Sequence, residues 1–100
     1  MLPPDLVGSW ESNDLRYEDR SLLVTSGQLL YKQGRETVHS GVIDEIVLIP
    51  MDLGREGVQV KYSDKEGVEF DTLIIIAADR ESLVFDNNPG VRWRRAGEAQ

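Results

Sequence analysis

The stretch Leu6-Val7-Gly8-Ser9-Trp10-Glu11-Ser12 is an apolar strand with a glycine two residues ahead of a tryptophan, and Val91-Arg92-Trp93-Arg94-Arg95 answers it near the other end of the chain. Between them, β-branched and aromatic residues recur in short runs bounded by glycine, asparagine, aspartate and serine. That is the composition of strands joined by turns. The pattern predicts one antiparallel meander of seven or eight short strands whose first and last members come together, closing or nearly closing a small barrel around Trp10.

The individual elements follow from local chemistry. Ser21–Thr25 and Gln28–Lys32 are β-rich runs separated by Ser26-Gly27, the composition of a tight hairpin in which glycine supplies a positive φ. Glu36–Ser40 alternates, which puts Thr37 and His39 on one face and Val38 on the other, and Gly41 allows a bend. Val42, Ile43, Ile46, Val47 and Ile49 are all β-branched, so Val42–Ile49 reads as a strand that Pro50 ends, followed by a loop over 51–57. Val58–Ser63 has the period of two of a strand with one wet face, and Asp64-Lys65-Glu66-Gly67 turns the chain. The return strand over 68–77 puts Val68, Phe70, Thr72, Ile74 and Ile76 on one side, while Leu73 and Ile75 make its distal half apolar on both. Asp79–Ser82 is a turn, Leu83-Val84-Phe85 a short strand, Asn87-Asn88-Pro89-Gly90 a further turn and Val91–Arg95 the last strand. The polar segment 13–19 is a long loop or a short irregular strand whose Tyr17 folds over one barrel end, and 96–100 is a loose tail.

Composition narrows the classes of function. With 100 residues and 40% hydrophobic content the chain makes one domain spanning residues 1–100. It has no cysteine, which excludes disulfides and thiolate metal sites and removes any argument for an oxidising compartment. The start Met1-Leu2-Pro3-Pro4-Asp5 has neither a basic head nor an apolar run, and the uninterrupted apolar stretch from Leu73 to Ala78 is too short to span a bilayer. The cytoplasm is therefore the expected location. A net charge of -7 repels nucleic-acid phosphates and anionic membrane surfaces, so neither is an expected partner.

The Gly8-Ser9-Trp10 motif in the first strand, the meander after it and the arginines at its end resemble the calycin group, that is, lipocalins and their smaller lipocalin-like relatives. The resemblance implies that the tryptophan closes one end of the barrel and that a late arginine, Arg94 or Arg95, lies across its ring. A guanidinium over an indole gains cation–π attraction while its donors satisfy carbonyls at the barrel end. The chain departs from an ordinary lipocalin in being shorter and in carrying neither the helix after the barrel nor the disulfide.

A barrel of this size is either filled by its own side chains or holds one small ligand. Tyr31, Tyr62, Phe70 and Phe85 are the residues expected to line a cavity, giving apolar walls with a few hydroxyls, and the expected ligand is small and apolar. His39 is the one histidine and reads as an outward-facing strand residue. Asp44 and Glu45 are adjacent on a strand and point to opposite faces, a poor acid–base pair that instead flanks a bulge or ends a strand. Asp64, Glu66 and Asp86-Asn87-Asn88 carry oxygens suited to calcium but without loop spacing, so no metal and no cofactor are expected. No elbow presents a serine nucleophile, and enzymatic function is not expected. Two classes of function remain open. One is a small-molecule binding module. The other is a structural or interaction module with a filled core, in which Leu73 and Ile75 are covered by a partner or by a second copy in a homodimer.

Overall fold

The computed structural model describes residues 4–12, 20–34 and 36–96. Segment 13–19 with Tyr17, and residues 97–100 of the expected tail, lie outside the described residues. The described residues form eight strands: β1 (Gly8–Ser12), β2 (Arg20–Val24), β3 (Gln28–Gln33), β4 (Glu36–Pro50), β5 (Glu56–Ser63), β6 (Glu69–Ile76), β7 (Ser82–Phe85) and β8 (Asn88–Arg95). Each pairs with the next, and β1 pairs antiparallel with β8 through Trp10↔Arg95, Glu11↔Arg94 and Ser12↔Trp93. The sheet is a closed, all-antiparallel, up-and-down β-barrel, and closure removes the two edges that an open meander would expose.

Local chemistry differs from the sequence expectation in several places, among them the start of β5 at Glu56, inside the expected loop. The β2–β3 hairpin forms, but Gly27 does not have a positive φ. Thr25 closes that turn instead, its Oγ1 accepting from the amides of Gly27 at 3.3 Å and Gln28 at 3.0 Å. A serine- or threonine-type turn of this kind needs no left-handed residue. β4 runs unbroken through Gly41, because a bulge between Ile43 and Glu45 takes up the curvature that a bend was expected to supply. The turn expected over Asn87–Gly90 is shorter: Phe85 pairs with Asn88 across Asp86-Asn87, and Pro89 lies inside β8. Proline fits there because the β7–β8 register shifts just beyond, between Leu83 and Phe85, where the ladder is already interrupted. Ala96, placed with the loose tail by sequence, donates its amide to the Ser9 carbonyl at 2.9 Å and so extends the β1–β8 seam.

One end of the barrel is solid. Leu6, Trp10, Leu22, Leu29, Val58, Val60, Ile74 and Ile76 are fully buried there, and the Trp10 indole N–H donates to the Leu6 carbonyl at 3.1 Å. Of the two candidate arginines, Arg95 lies on the ring, its Cζ 4.3 Å from the indole centroid, whereas Arg94 is exposed. The Arg95 guanidinium also donates to the carbonyls of Asp5 at 2.5 Å, Arg80 at 3.2 Å and Val7 at 3.4 Å. Gly8 is what makes room for it. Its φ is +141°, and a Cβ at that position would stand 3.0 Å from Arg95 Nη1.

Replacing Arg95 by alanine removes a cation–π contact and charge-assisted hydrogen bonds, so a loss of about 2–3 kcal/mol is expected in denaturant unfolding. The same change at exposed Arg94 is expected to stay within about 0.5 kcal/mol. Equal effects at the two positions would show that Arg95 does not hold this end together.

Candidate functional site

The opposite end of the barrel is hollow. A pocket of about 430 Å³ opens there, lined by Tyr31, His39, Tyr62, Phe70, Phe85 and Trp93, with Arg20, Thr72 and Asn88 among its polar walls. The six rings come from six strands, β3 to β8, so no single segment encodes the pocket. They form a continuous belt. Trp93 meets Phe85 edge-on at 6.1 Å, Phe85 meets Tyr31 at 5.9 Å, Tyr31 meets His39 at 5.6 Å and His39 meets Phe70 edge-on at 5.0 Å. Tyr62 stacks on Phe70 at 5.2 Å with 18° between the planes. The edge-on and stacked contacts are geometries that ring quadrupoles prefer, while the two contacts of Tyr31 are tilted, at 41° to Phe85 and 34° to His39.

The four residues expected from sequence to line a cavity, Tyr31, Tyr62, Phe70 and Phe85, all stand on this wall. His39 does not face outward as the alternation suggested. The β3–β4 register passes from Lys32↔Thr37 directly to Tyr31↔His39, leaving Val38 as an extra residue. That bulge separates Thr37 from His39 and turns the imidazole inward, where its Nε2 shares a hydrogen bond with the Tyr62 hydroxyl at 3.3 Å. Arg20 and Trp93, neither of which the sequence marks as lining a cavity, also stand on the pocket wall. Strand periodicity offers a signal for each: Arg20 is two residues from buried Leu22, and Trp93 two from buried Val91.

Asp44 and Glu45 lie at the expected bulge in β4, exposed, with Ser63 donating to Asp44 and Lys61 3.9 Å from Glu45. Asp64 is fully explained by its turn, where Oδ1 accepts from the amides of Glu66 and Val68, each at 2.9 Å. Among the described residues no group of three or more histidine, aspartate or glutamate side chains could hold a metal ion. No helix among them is long and apolar enough to cross a membrane.

Gly41 sets the shape of the site. Any Cβ there would fall on the ring of Tyr62, so the glycine is needed for close approach and not for a bend. Burial and the neighbouring Tyr62 hydroxyl push the Tyr31 phenol well above the ordinary tyrosine range, and burial also pushes Tyr62 up. Both hydroxyls are therefore neutral groups, able to donate and accept, at neutral pH.

The fold and the site together define a small closed antiparallel β-barrel, plugged at one end by Trp10 and hollowed at the other into a ring-lined cup. Comparison with family models, with curated proteins and with solved structures returned no match to this chain.

Two outcomes test the site. Because the folded-state value of Tyr31 is raised, its contribution to stability is complete below the unfolded tyrosine value of about 10 and is lost as pH climbs toward the folded one. Tyr31→Phe should flatten this alkaline decline in unfolding titrations followed by tyrosinate absorbance; an unchanged decline would locate its cause elsewhere. Gly41→Ala should displace the Tyr62 ring and destabilise the barrel by about 1–3 kcal/mol, read from chemical denaturation.

Proposed function

We propose that the barrel is a binding module that takes one small, largely apolar, ring-bearing molecule into the cup opposite Trp10. The observation that carries this reading is the belt of six rings around a pocket of about 430 Å³. Its volume lies within the range of pockets that hold single small molecules, and its lining has the usual make-up of apolar walls with a few placed polar groups. Flat apolar surface on a ligand would stack on Phe70 and Trp93, while the Tyr31 and Tyr62 hydroxyls, the His39 imidazole and Thr72 fix its orientation. On this reading the site works as a lipocalin-like cup, shallow because Trp10 and the aliphatic layer fill the other half of the barrel.

In this reading the protein holds its ligand without transforming it and needs no cofactor. The acidic balance of the chain keeps nucleic acid and membrane surfaces from being partners, and the cysteine-free composition suits the cytoplasm. Leu73 and Ile75, expected from sequence to meet a partner, are half-buried on the outer face of β6. The filled half of the core belongs to the Trp10 end, so a barrel solid throughout is the weaker reading.

Titration of the full chain with a naphthalene-based lipophilic fluorophore should give saturable binding of one probe per chain and quenching of Trp93. Thr72→Trp projects an indole into the cup and should weaken that binding by about tenfold or more while leaving the Trp10 end intact. Binding that ignores this substitution would remove the cup as the site.

A further inference from the structure

The barrel closes, yet part of β4 remains an edge. β3 pairs with β4 from Gln33↔Glu36 to Gln28↔Val42 and then turns away, whereas β5 accompanies β4 as far as Pro50↔Glu56. Among the described residues no strand pairs with the β3 side of β4 between Glu45 and Pro50. This overhang is apolar, Ile46-Val47-Leu48-Ile49, with Val47 48% and Leu48 51% exposed and Leu53 in the following loop 82% exposed. Unpaired strand backbone with apolar side chains is a template for another strand.

The ladder identifies which backbone groups are free. The Ile43 amide donates to the Gly27 carbonyl at 2.9 Å and so points to the β3 side, away from its β5 partner Tyr62. Alternation along β5, which carries no extra residue, then turns Val60 and Val58 away from β4 as well. Their β4 partners, Ile46 and Leu48, therefore present amide and carbonyl groups outward, while Val47 and Ile49 bond to β5.

We propose that this edge pairs antiparallel with the same edge of a second copy of the chain, about a two-fold axis at Val47. The occupant follows from self-complementarity. A two-fold at Val47 sets Ile46 opposite the partner copy's Leu48, so each free donor row meets a free acceptor row. It also sets Glu45 opposite Ile49 and Asp44 opposite Pro50, so no two carboxylates face each other, which a shift of two residues toward the amino terminus would bring about. Pro50 has no N–H, and the bulge after Ile43 ends the row at the other side. The pairing is thus short and isologous, and it closes as a dimer instead of extending as a fibre. A net charge of -7 on each chain opposes association at long range, so added salt strengthens the dimer. This surface is separate from the cup, and the proposal stands or falls independently of ligand binding.

Sedimentation of the full chain should show a dimer fraction that rises with concentration and with salt. Two copies of Val47 would meet as a non-hydrogen-bonded pair, with Cα atoms about 4.5 Å apart, inside the reach of a disulfide. The chain has no cysteine of its own, so Val47→Cys under mild oxidation should cross-link much faster than Gln59→Cys, the paired outer-face position on β5. Leu48→Pro deletes an outward donor at an edge position that tolerates proline, and should abolish the dimer while the barrel melts cooperatively. Hydrogen exchange at Ile46 and Leu48 should slow with concentration. A monomer at every concentration and salt, with the two cysteine variants cross-linking equally, overturns the proposal. Protection of those amides that persists on dilution also overturns it, by assigning the edge to another segment of the same chain.

Discussion

The structure depends on one cation resting on one indole. Trp10 is wholly buried, and its N–H is satisfied by the Leu6 carbonyl, which fixes the lead-in before β1 under the barrel floor. Arg95 covers the exposed side of that floor and gathers carbonyls from Asp5, Val7 and Arg80 with one guanidinium. Four separate pieces of chain, the lead-in, β1, the β6–β7 turn and β8, are therefore held by a single planar group. A lysine has the charge but not the fork needed to reach them together. Arg80 extends the same corner, donating to the Gly54 and Ala77 carbonyls and pairing with Asp5. With the seam fixed here, the register of all eight strands is fixed as well, because each strand is paired to the next around a closed ring.

A plug at one end leaves the other free to be something else. Around Trp10 the barrel is aliphatic and fully buried; at the other end the interior becomes aromatic, with Tyr62, Phe85 and Trp93 buried and Tyr31, His39 and Phe70 half-buried. Rings suit that position. They give large rigid walls at small entropic cost and pack edge to face without filling the centre. The belt and the Trp10 end nevertheless belong to one core, so a change in the cup is also felt in the stability of the barrel.

The same stagger that closes a barrel of unequal strands also explains the overhang. β4 is 15 residues long and its neighbour β3 only 6, so closure cannot pair all of β4 on both sides. The bulge at Ile43 and Glu45 sits where the inner pairing ends, and Pro50 caps the free part. These are devices that limit an edge, not ones that hide it.

Strand period, turn composition and the Gly8-Ser9-Trp10 motif, read with the late arginines, carried the all-β class, the meander order and the closure of the first strand on the last. Tyr31, Tyr62, Phe70 and Phe85 were legible as inward-facing because simple alternation holds around them. His39 was not, since an extra residue at Val38 reverses the face and nothing in the composition announces a bulge. The choice between Arg94 and Arg95 likewise waited on register, which the β1–β8 pairing sets and a short terminal strand does not. Sequence by itself determined which residues make strands, because strand period and turn chemistry are local, and it pointed to the meeting of the ends only through the Gly8-Ser9-Trp10 motif and the late arginines. Tertiary structure alone decided where the barrel is solid and where it is hollow, because a cavity is what remains when six strands have each placed one ring, a sum that no single stretch of chain contains.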